Sequence, residues 1–416
     1  MLKNTILKNS VIYLFSSILN KSIPFLLLPV MTKFLSPSEY GLLSIFLIFI
    51  NLYSAFIGMN IHANISKNFF KVTKYELSKY IGNIFYILVC TFVFYLLLTF
   101  FICLCFDEIF SISSKWFFAL PFISIMTMTN QLNITILRNE QRPYIFGFFE
   151  IFKTAIIMAT TVFCLVVINF GWYSQVIGLM VSGVIFSIIG LWYMYKRGYL
   201  TFEFDIEKIK SVLQISVPLI PHVLGGLVIA MSDRFFIEKM VSVEAVGLYA
   251  VGYSFGMMLR LFTDAFIKAW SPWFYKNIAE PTEKKKIKIV KYTYLFILCL
   301  FVLTVLVAIV ANIIMPYFVD EKFLGARIYI FWIALGYAVR GIYQIFFPYL
   351  VHINRTSFLA VSSVIAAIVN LLLNYILISI YGAIGAAYAT IGAFAISAIL
   401  VFWYQQKNYY MPWFIR

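Results

Sequence analysis

Lys21, Lys153, Arg260, Lys268 and Arg340 stand inside stretches that are otherwise apolar. A cation near the centre of a bilayer costs roughly 2.5–3.5 kcal/mol, so such a side chain normally faces a protein interior or a wet cavity. Their spread over several stretches predicts a cavity with positive walls, which suits an anionic ligand. Arg260, Asp264 and Lys268 recur every fourth residue and therefore share one helix face. On that face a cation could meet the ligand while the acid tunes it. The same spacing also describes a self-neutralised ladder, with Lys268 snorkelling towards Trp270 and Trp273. Arg340 has Gln344 four residues on and Tyr343 close by, as either a ligand-facing group or an interhelical node. Glu150 and Lys153, three apart, can neutralise one another, and Glu150 is also a candidate for carrying a coupled proton. Asn130, Asn133, Asn370 and Asn374 suit hydrogen bonding between helices or contact with a sugar. His222 is read either as a satisfied core histidine or as a proton site.

The elements that must position these groups are membrane helices. The chain has 416 residues, 63% hydrophobic and 12% charged, with a mean hydropathy of +0.93, which places it among polytopic membrane proteins. Apolar runs of spanning length, about 20 residues, are expected at 9–32, 40–61, 80–105, 116–136, 144–168, 172–194, 213–236, 245–270, 292–316, 327–350, 357–380 and 384–404. The fold class expected is all-α, with about twelve transmembrane helices. The first run lacks a small-residue cleavage site and reads as a helix rather than a signal peptide. Cys90, Cys103, Cys105, Cys164 and Cys299 all fall within spans and read as buried small hydrophobes.

An even number of spans puts both termini on one side. That side collects Lys and Arg over the other by roughly four to one, which orients the termini to the cytoplasm. Much of the +15 net charge is therefore topology signal and lipid contact, with no nucleic-acid partner implied. The turn Ser36-Pro37-Ser38-Glu39-Tyr40-Gly41-Leu42-Leu43 returns half a chain later as Ser242-Val243-Glu244-Ala245-Val246-Gly247-Leu248-Tyr249. Each opens a helix through Gly-Leu, and parallel repeats would place both on one face of the membrane. The expected halves are six-helix bundles at 1–200 and 201–416. Pro24/Pro29 and Pro218/Pro221 are candidate kinks at the entries of the first and seventh spans.

No P-loop, metal-ligand constellation or Ser/His/Asp arrangement is recognisable, and no segment is long enough for a catalytic domain outside the membrane. The expectation is a protein that is not an enzyme and holds no cofactor, with H+ or Na+ as a candidate coupling ion.

The run Ser216-Val217-Pro218-Leu219-Ile220-Pro221-His222, then Ser232-Asp233-Arg234-Phe235-Phe236-Ile237-Glu238 and Val246-Gly247-Leu248-Tyr249-Ala250-Val251-Gly252-Tyr253, resembles the signature of bacterial polysaccharide repeat-unit flippases. These are the Wzx-type O-antigen and capsule transporters of the multidrug/oligosaccharidyl-lipid/polysaccharide superfamily. Leu35-Ser36-Pro37-Ser38-Glu39-Tyr40-Gly41, Arg138-Asn139-Glu140-Gln141-Arg142 and Ala269-Trp270-Ser271-Pro272 add to the likeness. The resemblance implies two six-helix bundles around a central cationic cavity, with Lys21 and Arg260 among its cations and Arg340 and Lys153 as further candidates. It implies an undecaprenyl-diphosphate-linked oligosaccharide as cargo, moved across the cytoplasmic membrane by alternating access. Asp264 and Glu150 would tune charge or couple an ion. Asp233 and Arg234 would form a structural or gating salt bridge, with Pro218 and Pro221 bending the helix before it. Membrane lipids and other glycan-assembly proteins are the further partners expected. The runner-up is a relative in the same superfamily, a peptidoglycan-precursor flippase or a cation-coupled drug exporter.

Overall fold

The computed structural model describes residues 23–413 apart from 60, 218–219, 280–281 and 354. Lys21 and Pro218 lie outside the described residues, as do the side chains of Pro24, Pro221 and His222. The architecture is helical: α1 (Ile23–Phe34), α2 (Pro37–Gly58), α3 (His62–Asn68), α4 (Lys74–Cys105), α5 (Ala119–Asn139), α6 (Pro143–Val166) and α7 (Tyr173–Lys196). A short helix α8 (Ile206–Ser216) precedes α9 (Ile220–Met240), α10 (Val243–Gly256), α11 (Met258–Ile278), α12 (Glu283–Phe318), α13 (Arg327–His352), α14 (Thr356–Tyr381) and α15 (Ile384–Asn408). One two-residue antiparallel pair, Glu108–Ile109 with Ile112–Ser113, links α4 to the turn before α5.

Nine segments among the described residues are long and apolar enough to cross a membrane, and each falls on an expected span. The protein is a multi-pass membrane protein. Helices α5 and α9 coincide with two further expected spans but are more polar. The first carries Asn130, Gln131 and Asn133, and the second Asp233, Arg234 and Glu238. The eighth span, expected as one helix, is broken at Met257 into α10 and α11.

Local chemistry sets the helix starts. Ser36 and Glu39 form a reciprocal capping box: Ser36 N donates to Glu39 Oε2 at 2.9 Å, and Glu39 N donates to Ser36 Oγ at 3.2 Å. Pro37 then occupies the first helical position, where its missing N–H costs nothing. Thr73, Asp205, Ser242 and Thr282 cap α4, α8, α10 and α12 with their side-chain oxygens.

The chain divides into two compact units, residues 1–35 with 42–224, and residues 36–41 with 225–416. In the first, Ile57, Leu77, Ile81, Leu88 and Ile136 form the core, and Leu137, Phe146 and Phe186 form a second cluster. In the second, α13 packs along α15, and α15 along α14. Small residues such as Ala366 and Ala393 let helices approach there. The five cysteines are free. Only Cys164 is buried, against expectation; Cys90, Cys105 and Cys299 are exposed on outward faces of spanning helices, where the medium is hydrocarbon.

The segment between α7 and α8 is strapped to α4. Asn83 Nδ2 donates to Glu203 O and Asn83 Oδ1 accepts from Asp205 N, both at 2.9 Å. Tyr86 donates to Phe202 O at 2.9 Å, and Lys79 pairs with Glu203 at 2.7 Å. Helix α8 is held by Lys208 with Glu76 and by Asn64 Nδ2 donating to Ser216 Oγ at 2.8 Å. The Lys79 ammonium and the Tyr75 hydroxyl hold the Glu203 carboxyl below its ordinary value. A depressed carboxyl contributes stability above the ordinary glutamate range and loses it as pH falls through its own lower value. The protection of amides across 200–206, taken relative to the intrinsic exchange rate at each pH, should therefore be high at neutral pH and fall below about pH 4. Equal protection at both pH values would count against the ion pair.

The two repeated turns meet each other within the second unit. A Cβ on Gly41 would lie 2.2 Å from Val243 O, and a Cβ on Gly247 would lie 1.9 Å from Pro37 O. The contact is reciprocal, because Pro37 and Val243 are the first residues of α2 and α10, and each glycine stands four residues further on. Only glycine permits this crossing. Gly41→Val or Gly247→Val should each cost about 1–3 kcal/mol or more from overpacking, read as a lower thermal midpoint in detergent. Gly226→Ala, with open space around the new methyl, should hold or raise the midpoint.

Candidate functional site

In the second unit two of the five expected cations, Arg260 and Arg340, come together around one carboxylate. Arg260 and Asp264 sit one turn apart on α11, and Arg260 Nε donates to Asp264 Oδ2 at 3.4 Å. From α13, Arg340 Nη1 and Gln344 Nε2 donate to Asp264 Oδ1 at 3.3 and 3.2 Å. Asp264 and Arg340 are mostly buried, whereas 43% of the Arg260 side chain is exposed. Two guanidiniums on one carboxylate leave a net positive charge, and the exposed part of Arg260 is free to meet an anion. A guanidinium can bind a phosphate or carboxylate through two parallel N–H groups.

Lys268 does not join this group. It is exposed, and it forms no ion pair among the described residues. The expected ladder is therefore a pair within α11, completed from a helix 76 residues away in sequence.

A second cluster adjoins the first. Asp233 and Arg234 on α9 are both buried; Arg234 N donates to Asp233 Oδ1 at 2.9 Å, and Arg234 Nη1 reaches the same oxygen at 3.4 Å. The guanidinium lies 4.4 Å from the ring centroid of Tyr253, a cation–π contact. The Tyr253 hydroxyl bonds that of Tyr337, and Tyr337 precedes Arg340 by one turn on α13. Tyr253 and Tyr337 thus lie between the two clusters, the first against Arg234 and the second one turn before Arg340 on α13. Tyr253 and Tyr337 were not singled out from sequence. Their signal was a tyrosine on an apolar helix one turn from another tyrosine or an arginine: Tyr249 with Tyr253, and Tyr337 with Arg340.

Asn130, Asn370 and Asn374 behave as interhelical nodes, whereas the buried Asn133 makes no side-chain hydrogen bond among the described residues. Asn370 Oδ1 accepts from Ser232 Oγ at 3.0 Å and from Asn374 Nδ2 at 3.1 Å, and both asparagines are fully buried. In the first unit, Asn130 donates to Ser187 Oγ at 3.4 Å. Lys153 is in that unit on α6, with Glu150 buried one turn before it. The two stand one turn apart on the same helix, close enough to interact electrostatically. Among the described residues no group of three or more His, Cys, Asp and Glu side chains could hold a metal ion.

Glu140, in the turn after α5, is a further anchor. It accepts from Tyr193 at 2.6 Å and Tyr199 at 2.8 Å, and pairs with Arg142 at 3.4 Å. Gln141 and Gly198 take positive φ, +54° and +67°. Those two turns bend the chain so that Tyr199 comes back onto the carboxylate. Burial, and then donation to Glu140, hold the Tyr199 hydroxyl well above its ordinary value.

Helical spans, a two-unit division and polar groups within spans define a polytopic membrane protein. Its fold is similar to an inward-facing multidrug resistance MATE family transporter of the MOP superfamily: TM-score 0.68, 12% identity, covering 93% of this chain and 94% of that one. It is also similar to the lipid II flippase MurJ in an inward closed conformation: TM-score 0.70, 15% identity, covering 96% and 87%. These solved neighbours are a transporter and a flippase, not enzymes. The model of the polysaccharide biosynthesis protein family matches residues 6–278, and the chain belongs to that family. It is 22% identical over 386 residues to Lsg locus protein 1 of Haemophilus influenzae, covering 88% of this chain and 89% of the relative.

Asp264 holds three donors, whereas Arg260 gives up one contact and keeps its exposure. Asp264→Ala should therefore lower the thermal midpoint more than Arg260→Ala. The difference should correspond to about 1–3 kcal/mol, since removing the acid leaves Arg340 and Gln344 without an acceptor. Equal midpoints for the two variants would argue that the cluster carries no stability.

Proposed function

We propose that this protein is a flippase that moves undecaprenyl-diphosphate-linked oligosaccharide repeat units of the O-antigen or capsule kind across the bacterial cytoplasmic membrane. The observation that carries this reading is the half-exposed Arg260, tied through Asp264 to Arg340 inside membrane helices, in a member of the polysaccharide biosynthesis protein family. A net positive site suits a diphosphate, and the fold likeness to a lipid II flippase supports a lipid-linked cargo. In this reading Arg260, Arg340, Lys21 and Lys153 receive the diphosphate. Asp264 and Glu150 tune charge or couple H+ or Na+. Asp233 and Arg234, with Pro218 and Pro221 ahead of them, serve the gate. Both termini face the cytoplasm, following the Lys and Arg bias. The alternating-access cycle would rock two bundles, residues 1–200 and 201–416, against each other. Other glycan-assembly proteins would act on the product.

A cation-coupled drug exporter remains the alternative drawn from the MATE likeness. A site for organic cations wants acidic walls, and here two guanidiniums outnumber one carboxylate. A peptidoglycan-precursor flippase shares the diphosphate chemistry and differs in its sugar.

The test is complementation of a flippase-deficient strain carrying the cognate glycan pathway, at matched membrane expression. Wild type should restore surface glycan. Arg260→Ala and Arg340→Ala should each reduce it by about 10- to 100-fold, the worth of one charge-assisted hydrogen bond, while Arg260→Lys should retain part of it. Full activity in both alanine variants would refute the cationic site.

A further inference from the structure

The reverse face of α11 carries a feature that the cationic cluster does not use. Between α11 and α12 lies an apolar groove of about 580 Å³, lined by Phe262, Phe266, Trp270, Trp273, Tyr292 and Cys299 among others. At 100° per residue, Phe262 and Phe266 project roughly opposite to Arg260 and Asp264, so the groove is separate from that site. Both walls belong to segments long and apolar enough to span a membrane.

The walls are preformed by ring contacts. Phe266 stacks on Phe296 with centroids 3.9 Å apart, Trp270 lies 4.9 Å from Trp273, and Trp273 meets Tyr292 edge-on at 5.2 Å. Trp270 is 5% exposed and packs as part of this wall. Basic side chains mark one end of the groove. Lys288 Nζ sits 5.7 Å from the Tyr292 ring centroid, and Lys276 follows Trp273 by three residues. Both lysines are exposed and form no ion pair among the described residues. Trp270 and Lys276 are separated by about 9 Å along the helix axis, comparable to the roughly 5–8 Å headgroup layer on each side of a bilayer.

We propose that this groove seats one anionic glycerophospholipid of the surrounding membrane. An acyl chain lies between the aromatic walls, and the phosphate stands between Lys276 and Lys288. The apolar lining selects a hydrocarbon chain, and the two lysines select negative charge.

The full chain, delipidated in detergent, is titrated with phosphatidylglycerol or with phosphatidylcholine of identical acyl chains, and bound lipid is counted by native mass spectrometry. Wild type should bind the first about tenfold more tightly. Lys276→Gln with Lys288→Gln should bring phosphatidylglycerol down to the phosphatidylcholine level. Ala269→Trp, which fills the groove, should weaken both lipids, and Cys299→Phe provides a second filling variant should the first fail to fold. Equal binding of the two lipids to wild type would overturn the proposal, leaving a non-selective apolar groove. Loss in the lysine variant with no effect of either filling variant would also overturn it, leaving a headgroup held at the surface alone. Because the readout is binding, failure here leaves the transport assignment untouched.

Discussion

In hydrocarbon no water completes a hydrogen bond, so each polar group must find its partner within the protein or line a cavity. That constraint organises this molecule from the backbone outward. Every span is helical, and hydroxyls such as Thr32, Thr293 and Thr304 bond back to the carbonyl four residues earlier. Side chains that cannot do this locally reach across helices, as Ser232, Asn370 and Asn374 do. Asp264 is the extreme case: a carboxylate within a span, accepting from three side chains on two helices. Such a group is tolerable only with its partners in place, and so it fixes the approach of α11 to α13.

The same constraint shows how a charged interior can be both held and usable. Arg340 and Gln344 each give one donor to Asp264 Oδ1 and lock that oxygen. Arg260 engages the other oxygen and keeps much of its surface open. The hydroxyl pair of Tyr253 and Tyr337 lies between this site and the closed pair of Asp233 and Arg234. The family supplies the biological setting, and the residues supply a place where negative charge could be received.

Much of the fold was legible in the sequence because apolar length is a strong signal. The nine apolar spans fall where hydropathy put them, and α5 and α9 are helices despite polar groups that weaken their signal. The break at Met257 was not legible, since neither proline nor a charge marks it. For the site, the spacing of Arg260 and Asp264 on one face gave their contact correctly. Arg340 could be flagged as a cation out of place, but its meeting with Asp264 depends on how α13 packs, which periodicity does not encode. Spacing misled at Lys268, because sharing a helix face does not oblige two side chains to touch. The tyrosines were missed since a phenol on an apolar helix reads as one more hydrophobic residue until its hydroxyl is seen to have a partner.

The reciprocal crossing of Gly41 and Gly247 bears on how such a chain can change over time. Each glycine makes room for the carbonyl at the head of the opposite helix, so each position answers for the backbone of the other turn. A side chain gained at one would displace the helix that the other turn opens, and no adjustment confined to a single turn could absorb it. Substitution at either position is thus constrained by both, and the crossing is kept by the absence of two methyl groups.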